Sequence, residues 1–424
     1  MADAPTISLD FNNLLADAVG EHGLTATDIA SQDARIKQYR AQLASERAHG
    51  QHAYMGLADD ADMLESVLRA IQPRLGRFKH LVLLGIGGSA LGLKALVQAL
   101  RPNGAELHVV DNTDPTVFAS VRAAIDLRHS LFVPVSKSGG TIETVAALGY
   151  FATELNKAGL ALSEHVFAVT DPENGYLRAF ADKHEIATAD IPPAVGGRFS
   201  VLSAAGLAPA ALLNVDVAAL LEGASRTAKA SITGASDWPA RLGLIAADMC
   251  LQYGKTSLVV MPYSSRMEYV SDWFTQLWDE SLGKDGKGQT AIPAVGATDQ
   301  HAQLQLFLEG PNDKLILFIR LAKHTPDLKL GEFEWDSFGA GYLQGKSLGE
   351  IINAQQAGTA QACAERQRPN ATLNLPGLDA STLGELLMGL EIATTYAGLA
   401  LIVNPYDQPA VEAGKRISRK MLGG

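Results

Sequence analysis

Two segments cluster short hydrogen-bond donors directly behind an apolar run, a pattern suited to gripping an anion. In FVPVSKSGGTIET, Ser136, Ser138 and Thr141 supply hydroxyls, Gly139 and Gly140 leave backbone N–H groups open, and Lys137 adds a positive charge. A phosphomonoester, with its several oxygens, needs such a set of donors at a helix start. The helix end itself contributes about 0.3–2 kcal/mol, so hydroxyls and amides must supply most of the binding. Glu143, in the first helical turn, reads as a capping or loop-bracing carboxylate rather than a catalyst. The second segment, LVLLGIGGSALG, runs from a buried strand through Gly85, Gly87, Gly88 and Ser89 into a helix. With Ala90 it satisfies GxGxxA, and Asp111 ends the next strand, so taken alone it fits a dinucleotide site as well as a plain tight turn. The hydroxyl-rich loop shifts that balance toward a phosphate, because a dinucleotide domain has no use for it. A nucleotide P-loop is excluded at Gly254–Lys255–Thr256, where the required earlier glycine is Met249.

Both loops need buried strands to hold them, and the periodicity supplies these. Residues 1–70 read as a helical segment without a convincing strand. Strand His80–Leu84, helix Ala90–Leu100, strand Leu107–Asp111, strand Leu131–Val135, a helix from about Thr141 and strand Val166–Thr170 then alternate. That alternation predicts a doubly wound parallel sheet covered on both faces, over 71–225. A second α/β unit is predicted over 236–405, with helix Asp237–Tyr253, strand Ser257–Met261, helix Met267–Leu282 and strand Lys314–Arg320. The join falls around Gly223–Ser236, where Ser, Thr, Gly and Lys replace an apolar run. Thr325–Gly345 reads as an irregular surface excursion, and 406–424 as a closing helical tail.

Composition narrows the ligand class. The 424-residue chain is 47% hydrophobic and 19% charged, enough apolar material for two cores. A net charge of −11 repels nucleic acid and anionic lipid at long range, so an anionic ligand must be captured by local geometry. The start MADAPTISLDFNN has neither the basic nor the apolar part of a secretory signal, which points to the cytoplasm. The most membrane-like stretch, Val201–Leu221, is interrupted by Pro209, Asn214 and Asp216 and reads as a buried helix. Cys250 and Cys363 form no paired spacing, and no two of the ten histidines stand at a metal-ligand spacing.

Four further segments complete a pattern: GGRFS at Gly196–Ser200, QLWDESLGKDGKG at Gln276–Gly288, GATDQHAQLQLF at Gly296–Phe307 and NPYDQPAVEAGK at Asn404–Lys415. With these the chain resembles the glucose-6-phosphate isomerase family, in its short bacterial form, from the first strand to the C-terminus. The resemblance implies two sugar-isomerase (SIS-type) α/β domains, no metal or organic cofactor, and a homodimer whose partner completes each site. Carried over motif by motif, Ser136, Lys137, Ser138 and Thr141 correspond to the phosphate loop, and Gly88 with Ser89 to sugar contacts. Arg198 resembles the cationic stabiliser, Glu280 the proton-transfer base and His301 the ring-opening residue, while Gln408 and Lys415 resemble the C-terminal contributors. One departure is Ala410, which stands where the family pattern has glycine.

The implied chemistry suits these residue types. Aldose–ketose isomerisation moves a proton between C2 and C1, a task for one carboxylate. The enediolate needs a cation that never deprotonates, as arginine supplies. Opening a cyclic sugar needs a group tunable near neutral pH, as histidine is. Taken singly, Glu280 and His301 would pass for solvated surface groups and Arg198 for an interface ion pair; their joint presence is what points to catalysis. Two other readings stand beside this one: an NAD-dependent oxidoreductase using the Gly85 loop, and a sugar-phosphate sensor, which would have no need of Glu280, Arg198 and His301 together.

Overall fold

The apolar runs read from the sequence become the strands of two five-stranded sheets. The computed structural model describes residues 6–423; residues 1–5 of the expected N-terminal segment and residue 424 of the expected tail lie outside them. Strand β1 (Ser8–Asp10) comes first. The first sheet contains β2 (His80–Leu84), β3 (Glu106–Val110), β4 (Ser130–Ser136), β5 (Ala168–Thr170) and β6 (Thr188–Asp190), all parallel, in the order β3-β2-β4-β5-β6. The second contains β7 (Ser257–Pro262), β8 (Thr290–Pro293), β9 (Lys314–Leu321) and β10 (Asn370–Leu375), in the order β1-β10-β9-β7-β8. In each sheet the chain steps outward to one side and then crosses back, so β2/β4 and β7/β9 are the places where strand order reverses. Loops at the carboxyl ends of such strands open a crevice suited to a ligand.

Eight helices carry the site residues or brace the segments that do: α1 (Ala26–Ala48), α2 (Leu91–Leu100), α3 (Ile142–Lys157), α4 (Val217–Thr233), α5 (Trp238–Tyr253), α6 (Glu268–Leu282), α7 (Ala380–Leu401) and α8 (Glu412–Met421). Within the segment 1–70 read as helical, Ala26–Ala48 is one continuous helix. This helix, α1, starts at a capping box in which Thr25 and Asp28 bond reciprocally. It docks through Gln32 and Arg35, which both hold the buried Asp248 carboxylate of α5. No helix among the described residues is long and apolar enough to cross a membrane.

Three local expectations give way. The N-terminal segment, read as free of strands, contributes β1, which pairs antiparallel with β10. Three residues are too short to show alternation; the edge of β10 and the buried Glu385 carboxylate, which accepts from the Thr6 and Ile7 amides at 2.6 and 2.7 Å, select the strand. Val201–Leu221 is two helices rather than one, Ala204–Leu212 and the start of α4. They part where Asn214 takes a left-handed φ of 67° and Asp216 caps the next helix. The expected join Gly223–Ser236 is also mostly helix, since Gly223–Thr233 belongs to α4. Its small residues serve contact with α7 rather than flexibility.

That contact organises the interior. α7 is buried along nearly its whole length, and glycines set its distance from its neighbours. A methyl on Gly384 would lie 1.8 Å from the Leu220 carbonyl oxygen, one on Gly223 1.8 Å from that of Ser381, and one on Gly243 2.2 Å from that of Ala393. Gly384→Val should therefore lower stability by about 1–3 kcal/mol, the range for overpacking a close contact. Gly358→Ala, on a helix with nothing within 4 Å of the added carbon, should leave stability unchanged or raise it. Thermal unfolding of the two variants beside the parent checks the pair.

Candidate active site

The hydroxyls expected to grip an anion gather at the carboxyl end of the first sheet. Beyond β4, the Ser136 and Thr141 hydroxyls lie 3.1 Å apart, with Ser138 Oγ 3.4 Å from Thr141 Oγ1. Gly139 takes a φ of +63°, which lets the loop fold back before α3 begins. Thr141 is the extended N-cap of α3 and makes no side-chain cap bond. Glu143 does not cap the helix either, so the first-turn amides are available to a ligand. Lys137 is half-buried, and burial pushes its ammonium below the ordinary lysine range, partly offset by Asp171.

The neighbouring loop after β2 makes a backbone contact across the molecule. A methyl on Gly88 would sit 2.3 Å from the Gly197 carbonyl oxygen and 2.9 Å from the Arg198 amide nitrogen. Only glycine lets these two turns touch. Gly87 is less crowded, with the end of the Gln276 side chain 2.9 Å from where its Cβ would be, but its φ of +58° favours glycine. Asp111, the acid a dinucleotide reading needs, is paired instead with Lys94 at 3.2 Å. Lys255 is buried and donates to the backbone and side-chain oxygens of Asn312, at 2.6 and 2.7 Å.

Arg198 is the hub. Its guanidinium is almost fully buried, yet each of its five N–H donors has an acceptor. Nε donates to Ser281 Oγ at 2.7 Å. Nη1 donates to Glu280 Oε2 at 3.3 Å and to Gln408 Oε1 at 2.8 Å. Nη2 donates to the Pro405 and Asp407 carbonyls at 2.5 and 3.0 Å. Burial lowers the guanidinium pKa, and the Glu280 charge opposes that shift. Glu280 lies near the end of α6 with about a third of its side chain exposed and lines a pocket of about 640 Å³ together with Lys284, Asp407, Gln408 and Ala410. Ala410 lies in a short 3-10 turn and is absent from the residues with positive φ, so the methyl in the place of a glycine is accommodated without backbone strain.

The structure thus brings Glu280, Arg198 and Gln408 together beside Gly88, with the Ser136–Thr141 loop on the adjacent strand. His301 and Lys415 stay apart. His301 is exposed at the end of the turn Thr298–His301, and Lys415 is exposed on α8, paired with Glu412 of its own helix at 2.7 Å. Among the described residues neither bonds to Glu280, Arg198 or the phosphate loop.

Three contributors escaped the sequence reading. Gln276 stands one turn before Glu280, against the glycine loop, and its Oε1 is buried without a partner. The i,i+4 spacing was visible, but not its contact. Tyr406 lies between the two carbonyls that hold Arg198; its hydroxyl bonds to His52 and to Thr395, and its ring packs 5.3 Å from that of Phe199. Arg419 of α8 donates to the Gly140 carbonyl at 3.2 Å, tying the tail to the phosphate loop.

Comparison with known proteins sets this geometry in a family. The Phosphoglucose isomerase family profile matches residues 74–423. The chain belongs to that family. It is 39% identical to a glucose-6-phosphate isomerase of Rubrobacter xylanophilus, an alignment covering 100% of this chain and 99% of that protein. Among solved structures, a hypothetical protein of Thermus thermophilus superposes with a TM-score of 0.87 at 35% identity, covering 99% of this chain and 100% of that one. A glucose-6-phosphate isomerase of Chlamydia trachomatis gives 0.77 at 25% identity, over 85% and 73% of the two chains.

In this family member the Gly88 contact carries a direct test. Gly88→Ala should displace the Arg198 turn and lower kcat by about 100-fold, the scale of a 1 Å misplacement near the reacting atoms, and should also lower the unfolding temperature, as overpacking a close backbone contact does. An unchanged kcat would mean the two turns can separate without cost.

Proposed function

We propose that the chain interconverts glucose 6-phosphate and fructose 6-phosphate through a cis-enediol, with Glu280 as the base. One observation carries the assignment of the base: the Glu280 carboxylate lines the pocket and lies 3.3 Å from the buried Arg198 guanidinium. A carboxylate beside a fixed cation is what proton transfer through an anionic intermediate requires. Ser136, Lys137, Ser138 and Thr141 bind the phosphate, aided by the α3 amides, and Gly88 and Ser89 contact the sugar. Glu280 removes the C2 proton, and the C2–H electron pair moves into the C1–C2 bond as the carbonyl becomes an enediolate. Arg198 stabilises the negative charge, a proton passes from O2 to O1, and Glu280 returns its proton to C1. Gln408 holds Arg198 in place and faces the same pocket. Membership of a glycolytic isomerase family supports a cytoplasmic location.

The decisive experiment is Glu280→Gln. The amide keeps the shape but cannot accept a proton, so kcat should fall about 100- to 10,000-fold while sugar-phosphate binding stays within a few-fold. In heavy water the parent enzyme should place deuterium at C2 of the glucose 6-phosphate formed. A variant of near-normal rate would move the base elsewhere.

His301 and Lys415 are assigned to ring opening, with His301 reaching the neighbouring subunit of a homodimer. What supports this is that His301 is exposed and lies outside the Glu280 pocket of its own chain. Glu280→Gln and His301→Ala homodimers should each be nearly inactive. Refolded together with random pairing, about half the dimers are mixed and half their sites intact, so activity should recover to roughly a quarter of the parent. Mixed dimers without recovery would put both residues in one subunit.

A further inference from the structure

At the opposite end of the first sheet from the phosphate loop, three potential ligands converge that the isomerisation does not use. His80 opens β2, and the parallel register sets it directly beside Glu106 of β3, with His108 two residues further along the same face. The sequence separation of 28 residues hid this pairing, because a spacing rule recognises only ligands close along the chain. Three atoms form a triangle: His80 Nδ1 to His108 Nε2 at 3.1 Å, His80 Nδ1 to Glu106 Oε2 at 3.5 Å, and His108 Nε2 to Glu106 Oε2 at 3.7 Å. A tetrahedral cation with ligands at about 2.0–2.1 Å sets neighbouring ligand atoms about 3.3–3.4 Å apart. The observed edges bracket that value.

We propose that His80, Glu106 and His108 form a binding site for one divalent cation of the zinc class. Two imidazoles and one carboxylate are the donor set of zinc and its first-row neighbours rather than of calcium or magnesium, which take oxygen ligands. The imidazoles are largely covered, with 17% and 10% of the His80 and His108 side chains exposed, while Glu106 is 67% exposed. The ligands therefore stand on a rigid strand pair, and the fourth position opens toward solvent, where water completes the shell. The bound cation ties β3, an edge strand of its sheet, to β2. Along β2 His80 is five residues, about 17 Å at 3.3 Å per residue, from Gly85 of the glycine loop, so the site is structural and not part of the isomerase centre.

The test uses the full-length protein stripped of metal and titrated with Co²⁺ and Zn²⁺. The parent should bind one Co²⁺ per chain with the strong visible absorption of a low-coordinate site, and Zn²⁺ should displace it and raise the unfolding temperature. Glu106→Gln, at an exposed position that leaves folding intact, should weaken binding at least roughly tenfold, a loss that even outer-shell changes can cause. His80→Gln combined with His108→Gln should abolish the absorption and the thermal shift. The proposal is overturned if the parent binds no Co²⁺ saturably, or if the double variant binds it as tightly as the parent. An equal Zn²⁺ thermal shift in the parent and in Glu106→Gln would also overturn it.

Discussion

The site depends on burying one positive charge that stays paired. Arg198 sits where water cannot solvate it, and it remains charged because five acceptors surround it, two carbonyls and a glutamine of the C-terminal segment and two side chains of α6. Taking away a neutral acceptor leaves a buried N–H unsatisfied, at a cost of about 1–3 kcal/mol, more because the donor is charged. The guanidinium therefore fixes the distance between segments that lie about 80 and 210 residues apart in the chain. Only Glu280 among its side-chain partners in α6 keeps substantial exposure, so the one anionic member of the cluster is also one a ligand can reach.

Other parts of the fold hold that hub still. The glycine loop after β2 is pressed against the Arg198 turn through Gly88, and Tyr406, anchored by His52 and Thr395, holds the two carbonyls from behind. The close glycine contacts between α4, α5 and α7 supply the rigid body beneath. At the rim, α8 has no buried residue, and among the described residues Arg419 alone ties it to the Ser136–Thr141 loop by a side-chain bond.

Under the proposed function the two features divide the work by physics. The α3 N-terminus and its neighbouring hydroxyls offer short donors, which suit a fixed dianion present throughout the reaction. Arg198 offers delocalised charge in a dry setting, which suits an anion that exists only between reactant and product.

Much of this was legible in the sequence because it is local. Strand β2 was read residue for residue, β4, β7 and β9 to within two residues, and the anion loops followed from glycines and hydroxyls placed directly after apolar runs. Motif order along the chain was enough to single out Arg198, Glu280 and Gln408 as candidate site residues, and their mutual contacts came from the fold. What the sequence could not decide was anything set by contact between distant segments. β1 is a strand because the edge of β10 is there to pair with, and Gly223–Thr233 is helical because α7 receives it. Gln276, Tyr406 and Arg419 acquire roles only from what they touch, and His80 with His108 becomes a ligand pair only through the parallel register of β2 and β3. Side-chain type and local period are properties of the chain itself, whereas proximity across the fold is created by burial, and only the tertiary structure records it.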